Sequence, residues 1–185
     1  MKTINCNAIG NLKQNENFHD WWESDLIAIP FFNNKKLKVT FRDFDPDYDL
    51  TFLKEASDAF NIFLSKKSED KLLLSKEVFA NYKGFIDDVE PDWLERAINN
   101  VTNPIDIWNF IKAKEIYIVR RHRRDHEIYL EVSCSCNWEE EHGLQLVFKK
   151  GLQLTRVSGH DGHITDADAY NIPDSEDKLL SLYKN

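Results

Sequence analysis

The segment Glu115–Ser158 reads EIYIVRRHRRDHEIYLEVSCSCNWEEEHGLQLVFKKGLQLTRVS, and its pattern decides the fold. Its apolar residues come in short runs that predict four β-strands, at Glu115–Arg120, His126–Trp138, Gly143–Lys149 and Leu152–Ser158. The connections between these runs are too short for a parallel crossover, which needs about a dozen residues or more. The segment therefore predicts a four-stranded antiparallel meander.

A second β-rich region lies near the start of the chain. Asp25–Phe32 and Lys36–Phe44 are strand-like runs that flank the polar turn Asn33–Lys35. In the second run apolar and polar residues alternate, which is typical of a strand with one buried face. We predict a hairpin here, and we expect the polar, Asn-rich residues 1–16 to be loosely ordered, as a loose strand or a tail.

Helical spacing separates these two β regions. Leu50–Leu64 has apolar residues at helical intervals, with Asp49 placed to cap it. A second helix is predicted to begin at Ser68 and end at Gly84, and weaker signals place a short helix at Asp92–Asn99 and a Pro104-led segment after it. The buried face of the second helix is predicted to comprise Leu72, Leu73, Val78, Phe79 and Tyr82.

Together these patterns predict one α+β domain over residues 1–185. Its antiparallel sheet combines the N-terminal hairpin with the C-terminal meander, and at least two helices are inserted between them and packed on the sheet. A chain of 185 residues with 42% hydrophobic and 12% aromatic residues is large enough and apolar enough to bury a core.

The composition also limits which classes of function fit the chain. The net charge of −8 opposes binding to a phosphate backbone and suits a basic protein partner, so we expect no nucleic-acid ligand. No apolar run is long enough for a membrane span, and three cysteines without a regular framework do not indicate a disulfide scaffold. These features favour a cytoplasmic protein without membrane association and with no cofactor.

Two sequence patterns resemble the ligand sets of metal sites. Cys134 and Cys136 lie two apart on a strand and share a face, but a zinc site usually has two residues between its paired cysteines, and two buried thiols are the favoured interpretation. The alternating acids Asp43, Asp45, Asp47 and Asp49 lack the glycine and glutamate of an EF-hand loop in either frame, which favours a capped turn.

The densest group of titratable residues is His160-Asp161-Gly162-His163, with Asp166 and Asp168 following. Together with His142 these residues could hold a metal or transfer a proton, whereas the Asp-Gly pair favours a solvated turn. The basic run Arg120–Arg124 falls at a predicted hairpin tip, where we interpret it as a solvated end rather than a phosphate contact.

Charged residues next to an aromatic residue are typical of protein-docking surfaces. Trp138 is followed by Glu139, Glu140, Glu141 and His142, and we take Trp138 to be exposed. A second group surrounds Trp93 and contains Asp87, Asp88, Glu90 and Asp92. Both groups are candidate binding residues, with plain solubilising surface as the alternative.

The stretch Ser135–Phe148 contains Trp138-Glu139-Glu140-Glu141-His142-Gly143-Leu144, and an Asp-Gly pair follows at residues 161–162. It resembles uncharacterised bacterial domains of unknown function in which a Trp-Glu-x-x-His-Gly-Leu segment precedes a strand. Such domains are loosely associated with immunity proteins of polymorphic toxin systems. The resemblance covers residues 115–170, more weakly Leu26–Phe44, and implies a bacterial cytosolic protein without supplying catalytic residues.

The sequence thus favours a non-catalytic protein-binding domain, of the immunity type that neutralises a cognate toxin. The alternative is a small hydrolase or metal-dependent enzyme that uses the His/Asp cluster within residues 142–168, with His160, Asp161 and His163 as the metal-binding set. The sequence leaves the oligomeric state open.

Overall fold

The computed structural model describes residues 2–89, 98 and 101–182. Within these ranges nine strands form one sheet, in the spatial order β1-β2-β3-β5-β6-β7-β8-β9, with β4 paired to β5. The strands are β1 Thr3–Cys6, β2 Gly10–Gln14, β3 Trp22–Ser24, β4 Ile27–Ile29, β5 Lys35–Phe41, β6 Ile111–Arg120, β7 Ile128–Cys136, β8 Leu144–Lys149 and β9 Gln153–Ser158.

The α-helices are α1 Phe52–Leu64, α2 Lys71–Val89 and the short α3 Asp166–Ala169. Single 3-10 turns or short 3-10 helices lie at Pro30–Phe32, Ser68–Asp70, Pro104–Phe110 and Leu180–Leu182. The α+β class and the helices inserted between two β regions are confirmed. The predicted helix at Asp92–Asn99 lies, apart from Ile98, outside the described residues.

The C-terminal meander is confirmed. β6, β7, β8 and β9 pair in chain order, each antiparallel to the next. Two irregularities interrupt the ladders, one between Ala113 and Glu115 and one between Val147 and Phe148. Such bulges increase local twist and redirect side chains.

The hairpin joins the meander through a parallel pair, which the sequence patterns did not predict. Lys38–Phe41 of β5 lies beside Glu115–Ile118 of β6, and this is the one parallel pairing among the described strands. The chain between β5 and β6 carries α1 and α2, so it is long enough for the crossover that parallel strands require.

The N-terminal hairpin is shorter than predicted on its first strand. Pro30–Phe32 forms a 3-10 turn instead of continuing β4, because Pro30 has no backbone N–H for the ladder while Phe31 and Phe32 point into the core. Asn33 and Asn34 then reverse the chain with positive φ angles of 54° and 59°.

The expectation that residues 1–16 are loosely ordered is wrong. This segment forms β1 and β2, and β2 pairs with β3 at the edge of the sheet. Cys6, Ile9 and Leu12 are buried at 1%, 9% and 0% exposure. Burial of three apolar side chains in a mostly polar segment is enough to fix both strands on the core.

The main core lies between the sheet and the two long helices. α1 begins at Phe52 rather than Leu50, and the Asp49 carboxylate accepts a hydrogen bond from the Phe52 backbone N–H at 3.2 Å. Phe63 packs against Phe148 of β8, with ring centroids 5.1 Å apart. The predicted amphipathic face of α1 therefore packs against the strands of the meander.

The predicted face of α2 is only partly correct. Val78 and Tyr82 are buried, but Leu72 and Leu73 are 67% and 78% exposed. The predicted end at Gly84 is wrong, since the helix continues to Val89. A glycine in an open position of a helix lowers stability without breaking the helix.

The other face of the meander is also covered. Every residue of β8 is buried, and Val147 belongs to a second apolar cluster with Val119, Tyr129 and Leu180. The chain segment over this face, residues 159–182, is called the C-terminal cover below. None of the helices in the described part of the chain combines the length and apolar character needed to cross a bilayer.

Arginines from the meander fasten the C-terminal cover. Arg121, with a side chain only 3% exposed, binds the carboxylates of Asp168 and Asp174, and Arg124 pairs with the same two acids. Arg120 points to the opposite face, where it pairs with Asp49 and Glu55 at the start of α1. The interpretation of the basic run Arg120–Arg124 as a solvated end is therefore wrong for three of its arginines.

Two further buried groups complete the attachment. Arg156 pairs with Asp161 and with Asp166, whose pKa is nevertheless raised by burial. Asp177 is fully buried and accepts backbone N–H bonds from Ala167, Leu179 and Leu180 at 2.8, 3.1 and 2.9 Å. Multiple hydrogen bonds of this kind are what make a buried carboxylate tolerable.

The turn between β8 and β9 gives a test of the packing. Gly151 has a φ of +69°, and a Cβ at this position would lie 1.9 Å from the Ala59 carbonyl oxygen of α1. We expect Gly151→Ala to lower the free energy of unfolding by about 2–5 kcal/mol, through backbone strain and displacement of α1. Urea denaturation measures this change.

Gly10→Ala is the matched control, because Gly10 also has a positive φ, of +90°, but no neighbouring atom within 4 Å. Gly10→Ala should lower the free energy of unfolding by only about 1–2 kcal/mol, the strain of a left-handed backbone conformation. Equal losses in the two variants would contradict close packing of the turn against α1.

The C-terminal cover should loosen in acid. Hydrogen bonds from Arg121 hold the pKa of Asp174 below its ordinary value. A carboxylate whose pKa is lower in the folded state stabilises the fold above its unfolded pKa, and this contribution is lost as the pH falls through the folded pKa. We expect residues 165–182 to lose amide protection below about pH 4, before the meander does. Hydrogen exchange by mass spectrometry, corrected for intrinsic rates, measures this.

Arg121→Met should open the cover at neutral pH, while Glu176→Gln, which alters an exposed carboxylate, should leave it closed. Acid opening of the meander before the cover would contradict this account of the attachment.

Candidate functional site

A groove of about 530 Å³ runs between the C-terminal half of α2 and the loops that follow β7 and β9. We call it the α2 groove. It brings together residues from three distant parts of the sequence. They are Ala80, Asn81, Gly84, Phe85, Asp88, Trp138, Glu139, His142, Gly143, Gly159, His160 and Asp161.

The turn after β7 forms one wall of the α2 groove. The Glu139 carboxylate accepts hydrogen bonds from the backbone N–H groups of Glu141 and His142, at 3.1 and 3.2 Å. Gly143 follows with a φ of +64° and donates its N–H to the Glu139 carbonyl oxygen at 3.1 Å. This arrangement leaves the side chains of Glu140, Glu141 and His142 exposed.

Trp138 is not the exposed aromatic residue that the sequence suggested. It is 1% exposed, and its ring packs edge-on against Tyr82 of α2 with centroids 5.7 Å apart. The Tyr82 hydroxyl donates to the Ile98 carbonyl oxygen at 2.8 Å. Trp138 is therefore a core residue that forms part of the groove floor, where it anchors α2 to the turn beyond β7.

The second acidic group lies along the same groove. Asp87 and Asp88 are exposed near the end of α2, and Asp88 lines the groove opposite Glu139. Trp93, the aromatic candidate of this group, lies outside the described residues together with Glu90 and Asp92.

The cluster His160-Asp161-Gly162-His163 is divided between two clefts. His160 and Asp161 line the α2 groove, whereas His163 lines a separate cleft with Trp21, Arg42 and Arg123. Asp161 accepts the His163 backbone N–H at 3.0 Å and forms an ion pair with Arg156, as a turn residue does. The described residues contain no group of three or more His, Cys, Asp or Glu side chains arranged to hold a metal ion.

Cys134 and Cys136 occupy the core side of β7. Both are buried, at 3% and 4% exposure, and the Cys136 thiol donates to the Glu139 carbonyl oxygen at 3.4 Å. Burial raises the pKa of Cys136 to about 11 and that of Cys134 further still. Thiols of this kind are packing groups rather than nucleophiles.

The alternating acids Asp43–Asp49 form a turn rather than a binding loop. Asp45 accepts the Asp47 backbone N–H at 2.9 Å, and Asp49 both caps α1 and pairs with Arg120. The capped-turn interpretation of this segment therefore matches its contacts.

Two residues that sequence reasoning missed, Glu131 and Ser133, meet His160 on the second face of the sheet. Glu131 and Ser133 project from β7, and the His160 ring lies between them, with Nε2 3.0 Å from Ser133 Oγ and Nδ1 3.3 Å from Glu131 Oε1. Arg42 binds the other oxygen of Glu131. The available signal was Glu131 as the single charged residue of the β7 sequence, since a buried charge requires partners.

The three cysteines, all of them buried, give a test of the site's chemistry. At about pH 8, where an ordinary exposed thiol is partly ionised, we expect Cys134 and Cys136 of the native protein to resist a disulfide-exchange reagent such as DTNB. In denaturant all three thiols should react at once. Fast native labelling of either residue would contradict their placement in the core.

Comparison with known protein families shows that residues 8–164 match the family described as Domain of unknown function (DUF6985). No curated protein and no solved structure matches the chain. The match spans most of the chain, so the chain belongs to the DUF6985 family.

Proposed function

We propose that this member of the DUF6985 family is a protein-binding domain, and that its α2 groove receives a basic segment of a partner protein. The observation that carries the proposal is the convergence of two acidic stretches on one concave surface. Asp88 comes from α2 and Glu139 from the turn after β7, and both line the groove with Asp161. Charges on facing walls attract a cation more strongly than the same charges scattered over a convex surface.

The acids beside the α2 groove belong to a chain that is negative overall, and the two fields add. The net charge is −8, and Arg120, Arg121 and Arg156 each bind two or more carboxylates with side chains at most 8% exposed. Among these cations, Arg156 pairs with a residue of the α2 groove, Asp161, whereas the carboxylate partners of Arg120 and Arg121 lie away from the groove. Glu140, Glu141 and Asp87 remain exposed beside it.

The groove also offers an apolar surface. The partly exposed Phe85 contributes aromatic carbon, while Gly84, Gly143 and Gly159 have no side chains along the walls. An arginine or lysine side chain combines an apolar stem with a cationic end, so it fits acidic walls with an aromatic floor. Arginine is among the residues most enriched at interface hot spots.

We propose further that the partner is a toxin and that the chain acts as an immunity-type protein in the bacterial cytoplasm. Support comes from the Trp-Glu-x-x-His-Gly-Leu segment, which resembles a segment of domains loosely associated with immunity proteins. The turn in this segment forms one wall of the α2 groove. Acidic surfaces suit nuclease-like toxins, whose substrate-binding faces are basic, and electrostatic attraction speeds such an association.

A small hydrolase or metal-dependent enzyme is the second candidate. His142, His160 and Asp161 line the same groove, which favours it, whereas His163 lies in the other cleft. The binding proposal draws on more of the groove's residues than the hydrolase proposal does.

The binding proposal is tested with the product of the gene adjacent to this protein's own gene. Purified partner should bind the wild-type protein, and the variant Asp88→Asn/Glu140→Gln/Glu141→Gln should associate roughly tenfold more slowly at low salt. Surface plasmon resonance over a salt series measures the rate. Glu139 is left unchanged because its carboxylate holds the turn.

The control removes the same charge elsewhere, with Glu16→Gln/Asp25→Asn/Asp47→Asn at exposed positions on the N-terminal half. It should associate much as wild type does. Equal slowing in both variants would reduce the effect to net charge, and absence of binding together with absence of protection in cells would refute the proposed function.

A further inference from the structure

The polar face of the meander carries a serine, a histidine and a glutamate in one row. Ser133 Oγ lies 3.0 Å from Nε2 of His160, and Nδ1 of the same ring lies 3.3 Å from Oε1 of Glu131. The histidine thus has a hydroxyl at one ring nitrogen and a carboxylate at the other. This is the order of contacts found in serine nucleophiles that are activated by a histidine base.

The strand geometry holds this row in place. Glu131 and Ser133 are two residues apart on β7, so both side chains project from the same face of the sheet. Arg42 directly follows β5, the parallel neighbour of β6. It binds the second oxygen of Glu131, whose side chain is only 5% exposed. The carboxylate is therefore fixed on both sides before any ligand arrives.

His160 is held by its backbone and by a glycine. Its N–H donates to the His142 carbonyl oxygen at 3.2 Å. A Cβ at Gly143 would lie 3.7 Å from Cδ2 of the His160 ring and 2.6 Å from the Cys134 carbonyl oxygen. Glycine at this position lets the turn after β7 approach β7 itself, beside the ring.

The carboxylate determines which ring nitrogen carries the proton. Glu131 stabilises a proton on Nδ1, which leaves Nε2 as the acceptor for the Ser133 hydroxyl. The arrangement makes Nε2 a base that faces the serine oxygen.

The row is accessible. The His160 side chain is 29% exposed and lines the α2 groove, and Ser133 is partly exposed. The irregularity of β6 between Ala113 and Glu115 lies directly across from Ser133 and Cys134. Bulges are common next to active sites, where they redirect the neighbouring side chains.

We propose that Ser133 is a nucleophile that accepts the acyl group of a carboxylic ester, with His160 as its general base and Glu131 as a positioning residue. Ser133 Oγ forms a bond to the ester carbon while its proton passes to Nε2 of His160. The alkoxide leaves with that proton, and water then hydrolyses the acyl-serine to release the carboxylic acid. The α2 groove, which His160 also lines, carries Asp88 and Glu139, and these acids favour neutral or cationic esters over anionic ones.

A fluorophosphonate probe tests the nucleophile directly, because Ser133 Oγ would form the bond to phosphorus as fluoride leaves. Intact-mass and peptide mass spectrometry should show one adduct, on Ser133 and not on Ser135, the matched serine on the same face of β7. Ser133→Ala should lose the adduct, and Ser135→Ala should keep it.

His160→Gln should slow labelling by at least about a hundredfold, the usual contribution of a general base. Both Ser133→Ala and His160→Gln should abolish the hydrolysis of p-nitrophenyl acetate, a neutral ester. Circular dichroism confirms that each variant is folded.

Absence of an adduct on Ser133 of the folded wild type would overturn the proposal, as would equal labelling of Ser133 and Ser135 or labelling indifferent to His160. The proposed protein binding is judged separately, because Ser133→Ala leaves the charges of the α2 groove unchanged.

Discussion

The structure depends on the burial of the meander strands on both faces. One face of β7 and β8 packs against the aromatic core under α1, and the other carries Glu131, Gln145 and Lys149, none more than 9% exposed. Charged and polar groups lose their hydration when buried, so each requires a partner within the protein. The C-terminal cover supplies many of these partners, as when Gln145 donates to the His163 carbonyl oxygen at 2.7 Å.

This requirement explains the basic hairpin tip between β6 and β7. Arg121 and Arg124 reach the acids of the cover, while Arg120 reaches the start of α1. Residues that resemble a phosphate-binding patch in the sequence instead form ion pairs between elements far apart in the chain. Because these arginines form ion pairs within the protein, they do not form a free basic patch.

Both proposed activities lie where the cover begins. Residues 159–161 leave β9, pass the turn after β7 and bring His160 and Asp161 to the α2 groove. The same residues place the His160 ring over Glu131 and Ser133. A docking groove and a candidate nucleophile thus share one structural element, whose position depends on the Arg156 ion pairs to Asp161 and Asp166. A partner in the groove would also cover His160.

The sequence by itself determined the meander, the hairpin turn at Asn33–Asn34 and the amphipathic face of α1, because local periodicity and turn chemistry specify them. It also contained the acidic turn Glu139–Glu141. Only the tertiary structure decided that Trp138 is buried, that α2 exposes Leu72 and Leu73, and that Asp88 and Glu139 line the same groove. It alone placed His160 between Glu131 and Ser133. These features depend on contacts between residues distant in the chain, and the spacing of residues along one strand or helix carries no information about which distant segment will pack against it.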